Sequence, residues 1–232
     1  MTQTALIVGA GSGISASFAR LLAKEGYRVA LASRDPAKLA TLAAATGATT
    51  HACDATDPDA VDRLFAQIDA QFPRLDICLY NASARAPGPI AEVDRDQART
   101  ALAITAYGGF LVAQAAAQRM LQHGAGAILM TGASASTKGY PHSAIFAMGK
   151  FALRGLAQSM ARELAPRGIH VAHFVIDGGV RNAERGRVEG GNAAPDSYLD
   201  PDAIAATYLH VAQQPRSAWT WEVELRPWVE KF

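Results

Sequence analysis

Residues 4–24, TALIVGAGSGISASFARLLAK, decide the fold. A short apolar run ends at a cluster of glycines, and apolar residues at helical spacing follow directly. This order is typical of a buried strand, a tight turn and a helix that packs back against the strand. The turn reads Gly9-Ala10-Gly11-Ser12-Gly13-Ile14, and we expect the helix to occupy 13–25.

The same succession continues along the chain. Strands are expected in YRVALAS, ATTHAC, DICLYN, AILMTG and IHVAHFVI, with helices over 36–45, 58–71, about 95–122 and about 143–164. A helix near 201–213 and a closing strand around 221–225 follow. Repeated βαβ units form a parallel sheet that helices cover on both faces. We therefore predict an α/β, Rossmann-like doubly wound sheet of about seven strands, in one domain spanning 1–232.

The composition limits the classes of partner. Lys and Arg total 22 against 21 Asp and Glu, so no net field attracts nucleic acid or an anionic membrane surface. We see no basic leader and no run of about 18 apolar residues. We expect a cytoplasmic protein that binds a small molecule, without nucleic acid or membrane partners. Cys53 and Cys78 lack metal-ligand spacing, so we expect buried free thiols and no metal site.

The glycine-rich turn lies in the context of a nucleotide site. A strand precedes it and a helix follows it, which directs backbone amides and the positive helix end toward a pyrophosphate. Glycines allow the phosphates to approach the backbone closely. The alternative is a tight turn without a ligand, and the flanking strand and helix favour nucleotide binding.

The spacing Gly9-x-x-x-Gly13-Ile14 resembles the fingerprint of the short-chain dehydrogenase/reductase family, normally Gly-x-x-x-Gly-Ile-Gly, with Ser15 at the last glycine. Further motifs of that family follow the third, fourth and fifth strands, so the resemblance covers nearly the whole chain. The resemblance implies that Asp54 holds the adenine amino group, that Asn81-Ala82 forms the wall behind the nicotinamide ribose, and that Lys150 bonds the ribose hydroxyls. The alternative is that these are turn residues or surface charges. The cofactor contacts expected in all are Gly9, Gly11, Ser12, Gly13, Ile14, Ser33, Arg34, Asp54, Ala55, Asn81, Ala82, Lys150, Gly178 and Val180.

The end of the second strand bears on the choice of cofactor. Ser33 stands where a carboxylate would bond both ribose hydroxyls of NAD, and Arg34 follows it. A carboxylate would repel a 2′-phosphate, whereas a guanidinium pairs with it bidentately. We therefore expect NADP(H) rather than NAD(H). The alternative is that Arg34 only ends the strand and that Asp35 supplies the ribose contact.

The resemblance implies a catalytic Tyr four residues before the Lys, where the cation lowers the phenol pKa for proton exchange with the substrate. This chain has Phe146 there, which carries no ionisable proton. The usual Ser falls on Ala133, with Ser134 adjacent, and the usual Asn of the proton relay falls on Thr105. The catalytic candidates are therefore Lys150 and Ser134, which is adjacent to the position of the missing serine.

Other polar groups are predicted to lie near the substrate. One loop, expected to face the pocket, contains Ser136, Tyr140, His142 and Ser143. These residues are either alternative proton donors or ordinary surface residues. Asp177 stands where the family has proline. The segment 178–198 is rich in glycine and charge, and we predict a mobile loop over the ligand site.

The sequence thus favours an atypical NADP(H)-dependent oxidoreductase that transfers hydride to or from a small carbonyl, imine or related substrate. The alternative is a non-redox nucleotide-binding or regulatory protein on the same fold, and a lyase or isomerase is a third possibility. The resemblance also implies a homodimer or homotetramer that pairs the two long helices, 95–122 and 143–164.

Overall fold

Parallel strands form the centre of the protein. The computed structural model describes residues 2–189 and 194–230. The strands are β1 (Thr4–Val8), β2 (Arg28–Ser33), β3 (Thr49–Ala52), β4 (Ile77–Tyr80), β5 (Gly126–Thr131), β6 (Ile169–Ile176), β7 (Gly179–Val180), β8 (Tyr198–Leu199) and β9 (Glu222–Leu225). Seven of them pair in parallel in the order β3-β2-β1-β4-β5-β6-β9. The predicted Rossmann-like sheet is confirmed.

Helices cover both faces of this sheet. They are α1 (Ile14–Lys24), α2 (Ala40–Thr46), α3 (Pro58–Gln71), α4 (Arg95–Leu102), α5 (Gly108–Leu121), α6 (Ala144–Leu164) and α7 (Pro201–Ala212). Buried side chains of α1 and α7 form the core on one face, and those of α3, α5 and α6 form the core on the other. Cys53 and Cys78 are buried free thiols, as predicted.

The expected single helix over 95–122 is wrong in one respect, because a π-helical segment, Ala103–Tyr107, separates α4 from α5. Tyr80 donates a hydrogen bond from its hydroxyl to the carbonyl of Ile104 within that segment. The next turn packs close to the sheet, since a Cβ added to Gly108 would lie 2.6 Å from the Tyr80 hydroxyl. The wider turn therefore coincides with a point where the helix backbone meets β4 without an intervening side chain.

By length and composition alone, the continuous stretch Arg95–Leu121 could cross a membrane. Half of its most apolar window is buried inside the protein. Val112, Ala116 and Met120 are fully buried in the core beside the sheet. The apolar character of this stretch is thus accounted for by packing within the fold.

Two helices start at Asp-Pro pairs, and each aspartate caps its helix. The Asp57 carboxylate accepts a hydrogen bond from the Asp59 amide at 3.0 Å before α3. The Asp200 carboxylate accepts one from the Asp202 amide at 2.9 Å before α7. In each case a proline occupies the first turn, where its missing N–H costs no hydrogen bond.

Candidate active site

A cleft of about 740 Å³ opens along the carboxyl ends of β1 to β6. Every residue predicted to contact the cofactor lines this cleft, and so does Ser134. The strands bring these residues together because the carboxyl ends of parallel strands meet at one edge of the sheet. Sequence reasoning did not identify Asn182, Arg85, Arg185 and Arg187, which also line it.

The glycine-rich turn approaches the chain after β4 very closely. Gly9 has φ +80°, and a Cβ there would lie 2.4 Å from the backbone nitrogen of Ala82. Gly13 has φ +94° and directly precedes α1, whose first turn is capped by no side chain of the described residues. The amides at the start of α1 therefore face the cleft, which suits a phosphate group.

Ser15, in the first turn of α1, connects two parts of the cleft wall. Its hydroxyl donates to the Gly9 carbonyl at 3.2 Å and accepts from the Asn81 side-chain amide at 2.7 Å. Ser15 is buried. The serine therefore fixes the orientation of Asn81 relative to the glycine-rich turn.

Polar groups at the end of β2 face the same cleft. The Ser33 hydroxyl is buried and has no hydrogen-bond partner among the described residues. Asp35 accepts from the Ala37 amide at 3.2 Å and lies 3.4 Å from the Lys38 ammonium, so it caps the next turn. The Arg34 guanidinium forms no hydrogen bond or ion pair within residues 2–189 and 194–230 and contributes to lowering the pKa of Asp54.

Asp54, after β3, is held by its neighbour. One of its carboxylate oxygens accepts from the Thr56 amide at 2.9 Å and from the Thr56 hydroxyl at 2.8 Å. The amide hydrogen bond is the main cause that lowers the pKa of Asp54, so the carboxylate is ionised and oriented at neutral pH. Together with the Gly9 turn and the unpartnered Ser33 hydroxyl, this set fits a dinucleotide.

The opposite end of the cleft contains a buried lysine and an aromatic ring. Lys150 is 2% exposed, and its ammonium donates to the Thr131 carbonyl at 2.6 Å. Burial, with repulsion from Arg85, lowers the pKa of Lys150 to about 7. The Arg85 guanidinium lies 4.1 Å from the ring centroid of Phe146, and the Lys150 ammonium lies 5.9 Å from it. Both cations thus lie near one aromatic ring.

Polar side chains behind the turn after β5 hold that turn in place. The Ser136 hydroxyl accepts from the Ala133 amide at 3.1 Å and lies 3.3 Å from His173 Nε2. His173 Nδ1 lies 3.0 Å from the Glu222 carboxylate, which also accepts two hydrogen bonds from Arg154. Burial lowers the pKa of His173 to about 4, so the ring is neutral at pH 7.

Several residues expected at the pocket do not line the cleft. Ser136 is fully buried behind it, and Tyr140 is 41% exposed outside it. His142 and Ser143, which directly precede α6, do not line it either. The prediction that this loop faces the pocket is therefore wrong beyond Ser134.

Thr105 and Asp177 contact neighbouring chain segments and do not line the cleft. The Thr105 hydroxyl accepts from the Ala84 amide at 3.1 Å, so it holds the loop after β4 and does not line the cleft. Asp177 pairs with Lys138 at 3.2 Å and with Arg226 at 2.6 Å. Both residues support chain segments beside the cleft.

The segment 178–198 contains more regular structure than the sequence indicated. β7 and β8 pair in parallel, and a short 3-10 turn, Ala183–Arg185, lies between them. Asn182 donates from its side-chain amide to the Ser12 hydroxyl at 3.2 Å, which brings the segment against the glycine-rich turn. Residues 190–193 lie outside the described part of the chain, and the mobility of this segment stays a prediction.

Comparison with known proteins agrees with this geometry. Residues 3–184 match the model of the family described as short chain dehydrogenase. The chain therefore belongs to the short-chain dehydrogenase family.

Individual relatives extend over nearly the whole chain. D-threitol dehydrogenase of Mycolicibacterium smegmatis is 30% identical over 224 residues, which are 89% of this chain and 85% of that protein. A short-chain dehydrogenase from Rhodopseudomonas palustris has 37% identity and a TM-score of 0.83, covering 97% of this chain and 99% of its own. A metagenomic short-chain oxidoreductase, solved in complex with NADP, has 27% identity and a TM-score of 0.82, with 97% of each chain covered.

Replacing Ser15 tests its role in the cleft wall. Ser15→Ala leaves the half-buried Asn81 side-chain amide without its partner, and we expect a loss of about 0.5–1.5 kcal/mol in the free energy of unfolding. Ser17→Ala is the matched control, since the Ser17 hydroxyl accepts only a 3.4 Å hydrogen bond from Arg20. Urea denaturation measures both, and equal losses would show that Ser15 has no special role.

Proposed function

We propose that this chain is an NADP(H)-dependent oxidoreductase that acts on a small carbonyl, imine or related substrate, with Lys150 as its proton donor. One observation carries the proposal: the glycine-rich turn, the Ser33–Arg34 pair and Lys150 line a single cleft. When bound, the nicotinamide would supply or accept a hydride. Gly9, Asn81 and Asp54 would hold the cofactor at the positions that the family uses.

The groups at the end of β2 support NADP(H) over NAD(H). Asp35, the alternative ribose ligand, is already engaged by the Ala37 amide and Lys38. Arg34 and the unpartnered Ser33 hydroxyl instead offer a guanidinium and a neutral donor, which suit a 2′-phosphate. The 27% identical oxidoreductase solved with NADP adds support to this preference.

The buried lysine supports a role in proton transfer. Phe146 occupies the place of the family's tyrosine and has no proton to give. A Lys150 pKa of about 7 leaves much of the ammonium protonated at neutral pH, close to the best value for a general acid. As negative charge develops on the substrate oxygen, Lys150 donates a proton to it. The neutral amine that remains can still donate to the Thr131 carbonyl.

A substrate that is already an iminium would not need a proton donor at the hydride-transfer step. Its nitrogen loses its positive charge when the carbon accepts a hydride, so no proton is required at that step. The absence of a hydroxyl at Phe146 therefore favours iminium substrates over ketones. The competing function, a non-redox nucleotide-binding or regulatory protein, is favoured by the same Phe146 and by Ala133.

The cofactor preference is tested by Arg34→Gln. We expect NADPH affinity to fall about 10- to 100-fold, because a charged hydrogen bond contributes about 1.5–3 kcal/mol, while NADH affinity changes little. Fluorescence titration measures both nucleotides. Arg99→Gln, on exposed α4 and paired with Asp96, is the control and should leave both affinities unchanged. An equal loss for NADPH and NADH in Arg34→Gln would contradict the assignment.

The role of Lys150 is tested by the pH dependence of kcat/KM for ketone reduction. The folded pKa of about 7 predicts a rate that is maximal below pH 7 and falls as the ammonium loses its proton above it. Lys150→Met should lower ketone reduction about 10²- to 10⁴-fold at saturating NADPH, and iminium reduction much less. Lys24→Met, at the end of α1, is the control. No NADPH consumption with ketones, imines or enones would instead favour the non-redox function.

We also propose a homodimer or homotetramer built through α4–α5 and α6. These helices expose large apolar side chains: Tyr107 and Phe110 on the first stretch, and Met148 and Phe151 on the second. The rings of Tyr107 and Phe110 stack with centroids 6.2 Å apart. Such a patch favours burial against a second copy.

Sedimentation velocity tests the assembly. Phe151→Glu places a charge in the proposed contact and should shift the protein to a smaller species, because an unpaired charge is costly to bury. Ile90→Glu, at an exposed apolar position before α4, should leave the assembly unchanged. A wild type that sediments as a monomer would rule out the proposal.

A further inference from the structure

Three guanidinium groups converge at the Lys150 end of the cleft. Arg85 comes from the loop after β4, and Arg185 and Arg187 come from the segment after β7. All three line the cleft, and Arg85 lies over the ring of Phe146. Arg34, which suits the 2′-phosphate of a dinucleotide, follows β2 in another part of the wall. The segment that carries Arg185 and Arg187 also contacts the glycine-rich turn, through the hydrogen bond from Asn182 to Ser12.

Among the residues that the structure describes, these arginines have no carboxylate partner. Within residues 2–189 and 194–230, none of the three forms an ion pair, whereas Arg181 of the same segment pairs with Asp200 at 2.7 Å. Residues 190–193 are Gly-Gly-Asn-Ala and contain no carboxylate. Burial, followed by repulsion from Arg187 and then Arg185, lowers the pKa of Arg85. The Glu184 carboxylate also lines the cleft, but within the described residues it forms no ion pair with any of the three arginines. Three cations against one carboxylate leave an excess of positive charge, which forms a site for an anion.

The neighbouring side chains indicate what kind of anion fits. Arg85 lies over the ring of Phe146, so an anion bound by Arg85 would have apolar surface beside it. The same cleft is also lined by the apolar residues Ile104, Ile176 and Val180. A guanidinium fork pairs with a carboxylate through two parallel hydrogen bonds. An organic carboxylate with an apolar body meets both requirements.

We propose that Arg85, with Arg185 and Arg187, binds the carboxylate of the substrate, so that the substrates are carbonyl or imine compounds that carry a carboxylate. This inference rests on the proposed oxidoreductase function. It also assigns Arg85 a second effect. A bound carboxylate offsets the repulsion between Arg85 and Lys150 and so favours the protonated form of Lys150 when an acidic substrate is present.

The experiment measures the melting temperature of the protein, with saturating NADPH, in titrations of acetate, benzoate and malonate. Acetamide, benzamide and malonamide are the neutral counterparts, and sodium chloride keeps the ionic strength constant. At least one carboxylate should stabilise the wild type, and its amide should not. Arg85→Gln should weaken the carboxylate affinity about tenfold or more, as expected for the loss of a charged hydrogen bond.

Two further variants complete the design. The first is the double variant Arg185→Gln and Arg187→Gln, which changes only the segment after β7. It replaces Arg85→Gln as the test if Arg85→Gln does not fold. Arg181→Gln is the matched control, because Arg181 pairs with Asp200 and does not line the cleft. The control should respond to carboxylates as the wild type does.

Three outcomes would overturn the inference: no carboxylate stabilises the wild type, the arginine variants keep the full response, or the response disappears once NADPH is bound. The last result would mean that the arginines serve the phosphates of the nucleotide. Failure of the proposed function is a separate result, seen as no binding or no consumption of NADPH. In that case the same titrations without nucleotide still decide whether Arg85 binds carboxylates.

Discussion

The close approach of two backbone segments at Gly9 is the constraint on which the cleft depends. A side chain there would meet the Ala82 nitrogen at 2.4 Å and push the chain after β4 away from the glycine-rich turn. β1 lies between β2 and β4, where the order of the strands reverses, and open α/β sheets bind ligands at that point. Ser15 strengthens the junction through its hydrogen bonds to Gly9 and Asn81. The loop that carries Arg85 starts from this junction.

Burial and repulsion together determine the chemistry at the other end of the cleft. Lys150 is almost completely removed from water and lies near a second cation, Arg85, so its proton is held weakly. The ring of Phe146 lies close to both cations, and its negative face partly offsets their repulsion. Phe146 therefore contributes no ionisable proton to this end of the cleft and places its ring near both charges.

A second layer of polar groups supports the turn that bears Ser134. His173 on β6 and Glu222 on β9 are direct partners in the sheet, and their side chains are 3.0 Å apart. Arg154 of α6 binds Glu222, and Ser136 connects His173 to the Ala133 amide. Because Ser136 and His173 are buried and the four groups are connected by hydrogen bonds, they hold the end of β5 in one conformation. The arrangement links the last strand of the sheet to the wall of the cleft.

The sequence by itself determined the parallel sheet, the glycine-rich turn and the residues that meet at the carboxyl ends of the strands. Apolar periodicity is local, and the ends of parallel strands must meet at one edge, so Ser33 and Asn81 could be assigned to one site. Only the tertiary structure decided the π-helical segment, the ladder of β7 and β8, and the contacts of His173 with Glu222. It also brought Arg85 and Arg187 together, although they lie 102 residues apart in the sequence. These features depend on contacts between distant segments, and neither propensity nor spacing in the sequence records such contacts.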